Sequence, residues 1–207
     1  LLVGFATVVA VAFSVGLFFL LPTVVTSLLK LLIPMSVLGQ NLVEGVLRVA
    51  IFLAYLILVS RMKDIRRVFS YHGAAHKTIF CYERGLELTV ENVRKMPRHH
   101  PRCGTSFLFV VIILAILCYS VLFSFLTPPN VLVRILLQIV LIPVVVGIAY
   151  EINRYVGRHD NAVTRVVTAP GLWLQNFTTF EPDDSMMEVG IEALKQVIPE
   201  EKGKDQW

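Results

Sequence analysis

The chain has 207 residues, of which 56% are hydrophobic, and its formal net charge at pH 7 is +4. A mean hydropathy of +0.70 excludes an ordinary soluble domain, because a domain of this length cannot bury so much apolar surface. The apolar residues also stand in long blocks that carry almost no charge. The composition therefore indicates an all-α integral membrane protein with about four transmembrane helices.

Four segments are long and apolar enough to cross a bilayer, whose hydrocarbon core of about 30 Å needs about 20 helical residues. We predict these spans at about residues 3–21, 42–60, 105–126 and 131–151. A turn signal, Thr-Pro-Pro-Asn, separates the last two spans. The first span lacks a basic n-region and a small-residue cleavage site, so it is not predicted to be a signal peptide. In the second span Glu44 and Arg48 are four residues apart and can partly neutralise each other.

Basic residues are distributed unevenly among the segments that join the spans. Ten of the 19 Lys and Arg residues fall in 61–104 and six in 153–207, whereas the joining segments on the other side hold only Lys30. The positive-inside rule then predicts that 61–104 and the C-terminal tail are cytoplasmic. We interpret these charges as partners of anionic membrane lipids rather than of nucleic acid, for which the sequence holds no motif.

The predicted organisation has four consecutive parts. They are a first transmembrane hairpin (1–60), a cytoplasmic loop with a metal site (61–104), a second transmembrane hairpin (105–152) and a cytoplasmic tail (153–207). In the loop, Ser70 is predicted to cap a helix that Gly85 ends, and Thr89 begins another short helix. Thr105 is predicted to cap the third span.

The tail is predicted to contain an amphipathic helix. Ser185 and Glu188 form a capping box at its start. One apolar stripe follows at helical spacing, comprising Met187, Ile191, Leu194 and Ile198. We expect this helix either to pack on the cytoplasmic loop or to lie on the membrane surface.

Histidine placement is the feature that points to chemistry. His72 and His76 are four residues apart on a predicted helix, which puts both imidazoles on one face, where they can share a metal ion. Downstream, His100 and Cys103 stand in a compact segment. Cys103 directly precedes a predicted helix N-terminus, which lowers the pKa of a thiol and favours the metal-binding thiolate. The alternative is that the histidines only bond to the backbone.

Six runs of residues carry a resemblance to a known family, at 71–79, 81–83, 87–94, 100–107, 150–154 and 181–184. They resemble the YqhQ-like family of bacterial multipass membrane proteins, which have no defined function and are described in places as predicted metal-dependent enzymes. The resemblance runs from about residue 38 to 197. It implies a location in the bacterial cytoplasmic (inner) membrane and a soluble segment before the first span.

One position departs from the family pattern. The pattern reads His-Gly-Ala-Glu-His-Lys, and this chain has Ala75 where the Glu stands. With Glu, residues 72–76 would form the H-x-x-E-H arrangement of inverted zinc metalloproteases, in which Glu is the general base that activates water. We interpret Ala75 as an inactivating change of the kind made to trap an enzyme. The alternative is a small residue that allows close helix packing.

The first functional hypothesis is a membrane-embedded zinc metallohydrolase, a protease that acts on a membrane protein or peptide at the cytoplasmic face. One zinc ion would be bound by His72 and His76, with Cys103 as the expected third ligand. The alternatives for that third ligand are His100, Glu151 and Glu181.

Two other hypotheses compete with hydrolysis. The first is a membrane-protein assembly or scaffold factor, in which four protein ligands would close a purely structural metal site. The second is a transporter, which only the intramembrane charges of Glu44 and Arg48 support.

Overall fold

The computed structural model describes residues 2–159 and 161–199, and the regular elements in them are helices. Four helical stretches are long and apolar enough to cross a membrane: Leu2–Leu32, Val37–Ser60, Gly104–Phe125 and Val131–Arg158. Their mean hydropathies lie between 2.3 and 2.8. The predicted fold class is confirmed in these terms, as an all-helical multipass membrane protein with four candidate spans.

The first span is longer than predicted. It comprises α1 (Leu2–Val15), a π-helical segment (Gly16–Leu20) and α2 (Leu21–Leu32). Pro22, directly after the predicted end at residue 21, lies in the first turn of α2 and follows the irregular π-helical hydrogen bonds. A proline in a first turn leaves a helix intact, because its missing N–H would have no partner there.

The other spans are α3 (Val37–Ser60), α6 (Gly104–Phe125) and α7 (Val131–Arg158). Helix α3 begins five residues before its predicted start at 42, and α7 continues beyond its predicted end at 151. Both extensions contain polar residues. The spans are predicted from runs of mainly apolar residues, so the predicted helices stop short of these polar segments.

The predicted start of the loop helix after Ser70 is wrong. Helix α4 runs over Lys63–Glu83, and Ser70 lies inside it, with its hydroxyl donating to the carbonyl of Arg66. The basic stretch before Ser70 belongs to α4, because the extended backbone of Met62 separates it from α3. A serine hydroxyl can satisfy either a helix start or a carbonyl one turn back, so its type alone did not fix its place.

The predicted end of α4 and the next short helix are confirmed. Gly85 has a φ of +66°, and the N–H groups of Gly85 and its successor donate to two carbonyls of the last turn of α4. This left-handed ending favours glycine, which has no Cβ to clash. Helix α5 (Val90–Arg94) follows, with the hydroxyl of Thr89 accepting from the N–H of Asn92 at 3.3 Å.

Cys103, and not Thr105, precedes α6. The helix begins at Gly104, and the N–H of Phe107 donates to the carbonyl of Cys103. Thr105 therefore lies in the first turn, where its own N–H donates to the sulfur of Cys103 at 3.4 Å. The predicted cap is wrong by two positions, because the sulfur takes the accepting role that we assigned to the Thr105 hydroxyl.

The sequence analysis missed helix α8 (Ala162–Thr178). It starts with a reciprocal pair of bonds, in which Asn161 accepts from the N–H of Thr164 and Thr164 accepts from the N–H of Asn161. Asn followed three residues later by a hydroxyl residue was the available signal. Pro170 inside the helix concealed it, since proline usually ends one.

The tail helix is confirmed, but its cap is not the predicted one. Helix α9 runs over Asp184–Lys195, and its cap is Asp183, which accepts from the N–H of Met186. The hydroxyl of Ser185 donates to Asp183 instead of capping the helix. Met187 and Ile191 of the predicted stripe are buried. Helix α9 packs on α4 and α5, which decides the open alternative in favour of the loop.

Contacts divide the chain into two units. One comprises Leu1–Tyr55 with Val111–Ala149, and the other Leu56–Val110 with Tyr150–Trp207. Each unit thus combines two of the four predicted parts, the hairpins in one and the loop and tail in the other. The last residues of the predicted tail (153–207), from 200 to 207, lie outside the described residues. A buried core in the second unit is formed by Ala74, Cys81, Val93, Met96, Met187 and Ile191.

A polar network ties the helices of the first unit together. The predicted pair is confirmed, with Arg48 donating to Oε1 of Glu44 at 2.9 Å. The same oxygen accepts from Thr23 and Gln138, each at 2.8 Å, and Oε2 accepts from Arg134 at 2.7 Å. A carboxylate satisfied by four donors on three helices favours packing between those helices.

Candidate metal centre

The second unit brings two histidines and a cysteine together. One possible ligand atom from each of His72, His76 and Cys103 lies within 4.8 Å of the others, and Nε2 of His72 is 3.2 Å from the sulfur of Cys103. The two imidazoles stand on adjacent turns of α4, with ring centroids 4.3 Å apart. His76 and Cys103 are buried and His72 is half-buried. The predicted His pair thus has Cys103 beside it.

Both imidazoles are oriented by backbone carbonyls. Nδ1 of His72 lies 2.9 Å from the carbonyl oxygen of Thr178, and Nδ1 of His76 lies 2.5 Å from that of Arg98. A carbonyl can only accept, so Nδ1 carries a proton in each ring and Nε2 is left for the sulfur or for a metal. Nε2 donates to the sulfur when the ring is charged and has a lone pair for a metal when the ring is neutral. Metal-ligating histidines are usually held in this way, with the second ring nitrogen donating to a fixed acceptor.

The cysteine is held as a thiolate. Burial raises the pKa of the Cys103 thiol, but hydrogen bonds from His72, His76 and Thr105 outweigh burial and lower the pKa to about 5. The same hydrogen bond, donated by His72 to Cys103, raises the pKa of His72, and burial lowers that pKa by a smaller amount. The sulfur is therefore charged near neutral pH without a metal, and the thiolate is the form that binds metals.

The donor set fits zinc. Two neutral imidazoles and one thiolate are the ligand types that zinc prefers, and three protein ligands leave one tetrahedral position for another group. With metal–ligand lengths of about 2.0–2.3 Å, ligand atoms around zinc lie roughly 3.3–3.7 Å apart. The distance of 3.2 Å between Nε2 of His72 and the sulfur of Cys103 is close to that spacing. The limit of 4.8 Å for the whole group is about 1 Å longer, so the three ligand atoms would have to draw closer around an ion.

The structure places His100 outside this group. Its Nε2 lies 3.4 Å from Oε2 of Glu83, and its Nδ1 accepts from the N–H of Arg102 at 3.2 Å. Burial lowers the pKa of His100, although Glu83 opposes this. Both ring nitrogens are thus engaged by protein groups, and the ring packs against Phe80 with centroids 4.5 Å apart.

The two carboxylates that we considered as third ligands are also elsewhere. Glu151 is exposed and lies 3.8 Å from Arg154 one turn further along α7. Glu181 forms an ion pair with Lys77, the residue that follows His76. Ala75 is half-buried on α4, between the two histidines in sequence. The ring centroid of His100 is 5.7 Å from that of His76, but of the four candidates only Cys103 has a ligand atom within 4.8 Å of those of both histidines.

Gln175 on α8 is a site residue that the sequence analysis missed. Its fully buried amide accepts from the N–H of His100 at 2.7 Å and donates to the carbonyl of the same residue at 2.7 Å. It also donates to the hydroxyl of Ser106 at 2.8 Å. Gln175 thereby clamps the segment before Cys103 to the start of α6. A single buried amide in a tail helix gives no local pattern from which this role could be predicted.

Lys77 is the second missed residue. It is buried, and its Nζ donates to the carbonyl of Arg94 at 3.0 Å and to Glu181. A buried lysine is costly unless it is paired, so these contacts fix the positions of α5 and of the segment after α8 relative to α4. The carbonyls that orient the histidines lie close to these contacts, because Arg98 follows the end of α5 by four residues and Thr178 is the last residue of α8.

Comparison with known proteins gives one family. Residues 1–200 match the family model described as a protein of unknown function, DUF1385. The chain is also similar to the uncharacterized protein YqhQ of Bacillus subtilis (strain 168), with 36% identity over 193 residues. That alignment covers 92% of this chain and 59% of the relative, so the chain spans little more than half of that protein. No solved structure matches.

Proposed function

The chain belongs to the DUF1385 family, and we propose that it binds one zinc ion through His72, His76 and Cys103. We further propose that this centre is the hydrolytic site of a membrane metalloprotease of the inverted type. In this chain the centre lacks its general base, because position 75 is Ala. The site would act at the cytoplasmic face of a bacterial inner membrane, where the basic residues of 61–104 are expected.

The observation that carries the proposal is that three possible ligand atoms, one each from His72, His76 and Cys103, lie together. Two backbone carbonyls fix the Nδ1 atoms, so Nε2 of each ring is the atom left to bind a metal beside a sulfur whose pKa is lowered to about 5. A metal would take the place of the Nε2 protons that the thiolate accepts in its absence. Histidines that serve only packing need no such convergence on a thiolate. A zinc ion held there would supply Lewis-acid chemistry, which activates water near neutral pH.

The chain's own residues would have separate roles at this centre. His72, His76 and Cys103 would hold the metal ion. The backbone carbonyls of Thr178 and Arg98 accept from Nδ1 of the two imidazoles and so keep a proton on that nitrogen. At about 100° per residue, a side chain at position 75 projects roughly 60° around α4 from His72 and roughly 100° from His76. A carboxylate there can accept a proton from water without taking a ligand position, whereas Ala75 cannot.

A structural metal site is the second candidate, with the chain as an assembly or scaffold factor. Two observations favour it. His76 and Cys103 are only 4% and 6% exposed, so access for a large substrate is narrow, and Ala75 offers no proton acceptor. A fourth protein ligand would close the site, and such a closed site is typical of structural zinc.

Metal analysis tests the proposal. Purified protein should contain about one zinc per chain, and His72→Ala, His76→Ala and Cys103→Ala should each lose most of it. His159→Ala and Cys81→Ala are matched controls, since both residues lie outside the group, and they should keep the metal. Full zinc retention in the His76→Ala variant would refute the metal site.

X-ray absorption at the zinc edge then separates the two candidates. Three protein ligands with one exchangeable oxygen support hydrolysis, whereas four protein ligands support the structural role. The Cys103→Ala variant also tests the choice of third ligand. If it kept its zinc while Glu151→Ala or Glu181→Ala lost it, that choice would be wrong.

A further inference from the structure

A cavity of about 460 Å³ lies in the second unit, between the end of α7 and the first half of α8. Its volume is within the range of small-ligand sites. Its walls are formed by Pro101, Arg102, Val156, Gly157, Arg158, His159, Thr164, Arg165, Thr168 and Leu172. The candidate metal centre uses none of these side chains, so the cavity needs a separate explanation.

The charged side chains that the structure describes around the cavity have one sign. Three guanidinium groups line it, from Arg102, Arg158 and Arg165, and none of the described lining residues is acidic. Arg102 is fixed from outside by an ion pair with Glu83, and its side-chain carbons lie against Gly157. Guanidinium groups bind phosphate and carboxylate oxygens through paired N–H donors.

The first turn of helix α8 also suits an anion. It borders the cavity, because Thr164 is both a lining residue and the third helical position. The N–H of Thr164 is bonded to Asn161, and the hydroxyl of Thr168 donates to the carbonyls of Thr164 and Arg165. The contribution of α8 is therefore the positive end of its dipole, which attracts negative charge.

The position of α8 indicates where the ligand comes from. A Cβ built on Gly171 would lie 2.6 Å from the Cα of Ser106, so α8 crosses the start of the span α6 in close contact. The outward side of α8 is apolar and exposed, with Val163 at 69%, Val166 at 71% and Trp173 at 50%. A helix with such a face and a tryptophan is typical of the membrane interface. The cavity would then stand at headgroup depth.

We propose that this cavity binds the phosphate of a phosphate ester, and that in the membrane the ester is the headgroup of an anionic phospholipid. The guanidinium groups of Arg158 and Arg165 and the start of α8 receive the phosphate, and Val156 and Leu172 contact the adjoining carbon chain. The site is independent of metal binding. A metal-free protein therefore retains it.

A binding experiment on the full chain in neutral detergent tests this assignment. The probes are a short-chain phosphatidylglycerol, glycerol phosphate and inorganic phosphate, and the readout is the dissociation constant from a thermal-shift titration. The double variant Arg158→Gln/Arg165→Gln should weaken binding of the short-chain lipid by at least tenfold, since charge-assisted phosphate bonds of this kind are strong. Thr168→Glu, which places a like charge against the phosphate, should do the same.

The matched control removes two positive charges outside the cavity, the same number as the cavity double variant. Arg154→Gln/Lys195→Gln deletes two exposed cations, one of them a single turn before Arg158, and should change the dissociation constant by less than about twofold. All variants should keep their zinc content and unfolding midpoint, because the altered side chains are exposed or half-buried.

The three probes separate the possible sources. If the cavity variants weaken binding of a probe, that probe binds in the cavity. Binding of the lipid alone in the cavity supports the membrane headgroup. Binding of glycerol phosphate or phosphate there as well supports a soluble phosphate ester at the same site. Equal weakening in the cavity and control variants would overturn the proposal, and so would the absence of measurable binding in the unmodified chain. The arginines would then serve only to orient the chain in the membrane.

Discussion

Gly73 on α4 and Phe180 after α8 are in direct contact, because a Cβ built on Gly73 would overlap the backbone carbonyl of Phe180. The N–H of Phe180 donates to the carbonyl of Phe69 at 3.0 Å, so the extended segment is bonded along α4. Thr178, which orients His72, lies two residues earlier in the chain. The close approach at Gly73 thus sets the position of an imidazole that is one residue away from it.

We expect Gly73→Ala to destabilise the protein by about 3 kcal/mol, because the overlap is with backbone and cannot be relieved by a side-chain rotation. Zinc content should fall with it, since Thr178 must move away from His72. Unfolding midpoint and bound zinc are the two measurements. Gly147→Ala is the control, with nothing within 4 Å of the added Cβ. Equal midpoints in the two variants would contradict the structural role of this contact.

Gln175→Ala should weaken zinc binding by at least tenfold without abolishing folding. The change leaves the N–H and carbonyl of His100 unpaired in a buried place, which typically costs about 1–3 kcal/mol per group. The segment that positions Cys103 would then shift. Competition with a chelator measures the affinity. The neighbouring Asn176→Ala removes an exposed amide and should leave the affinity unchanged, and a similar loss in both variants would argue against the clamp.

The metal-free protein should lose its thiolate absorbance near 240 nm with a midpoint near pH 5, because the pKa of Cys103 is about 5. The folded-state pKa is lowered from a reference of 9.0, so the resulting stability is full above pH 9 and is lost as the pH falls through 5. Cys103→Ser should therefore destabilise the metal-free protein more at pH 7 than at pH 4.5.

Cys81 provides the contrast for that titration. Burial raises the pKa of its thiol, so Cys81→Ser should leave the step near pH 5 unchanged. A single step near pH 9 in the unmodified protein would show that the His72 contact does not create a thiolate.

Ala75→Glu should switch on hydrolysis, with a gain of roughly 10²–10⁴-fold, the usual contribution of a positioned general base. Zinc content should stay the same, because Ala75 supplies no ligand. Cleavage of reconstituted membrane proteins in liposomes is the assay. The isosteric Ala75→Gln has no proton acceptor of comparable basicity and should remain silent. Equal cleavage by the two variants, or none by either, would favour the structural-metal function.

Glu44→Gln should destabilise the first unit by roughly 3–5 kcal/mol, because it leaves Arg48 and Arg134 buried without their counter-charge. Unfolding in a denaturing detergent measures the loss. Glu151→Gln removes an exposed carboxylate with one distant partner and should cost less than about 0.5 kcal/mol. A small effect at Glu44 would weaken the case for a structural network and reopen the transporter hypothesis.

The sequence by itself determined the features that depend on local spacing. Four apolar blocks predicted four candidate spans, and the interval of four residues put Glu44 beside Arg48 and His72 beside His76. These relationships follow from helix geometry and from the thickness of the hydrocarbon core, which act over neighbouring residues. The sequence also named Cys103 as a candidate, from its position before a helix.

Only the tertiary structure decided which candidates meet. Cys103 is 31 positions from His72, and the carbonyl of Thr178 is 106 positions away. His100 and Glu181 have equally suitable side chains for a metal, yet each is engaged by another partner in the fold. Chain distances of this size are closed by packing of α4 against distant segments, which a short-range pattern cannot encode. The helix caps predicted at Ser70, Thr105 and Ser185 failed for a related reason, because each hydroxyl had a competing partner nearby.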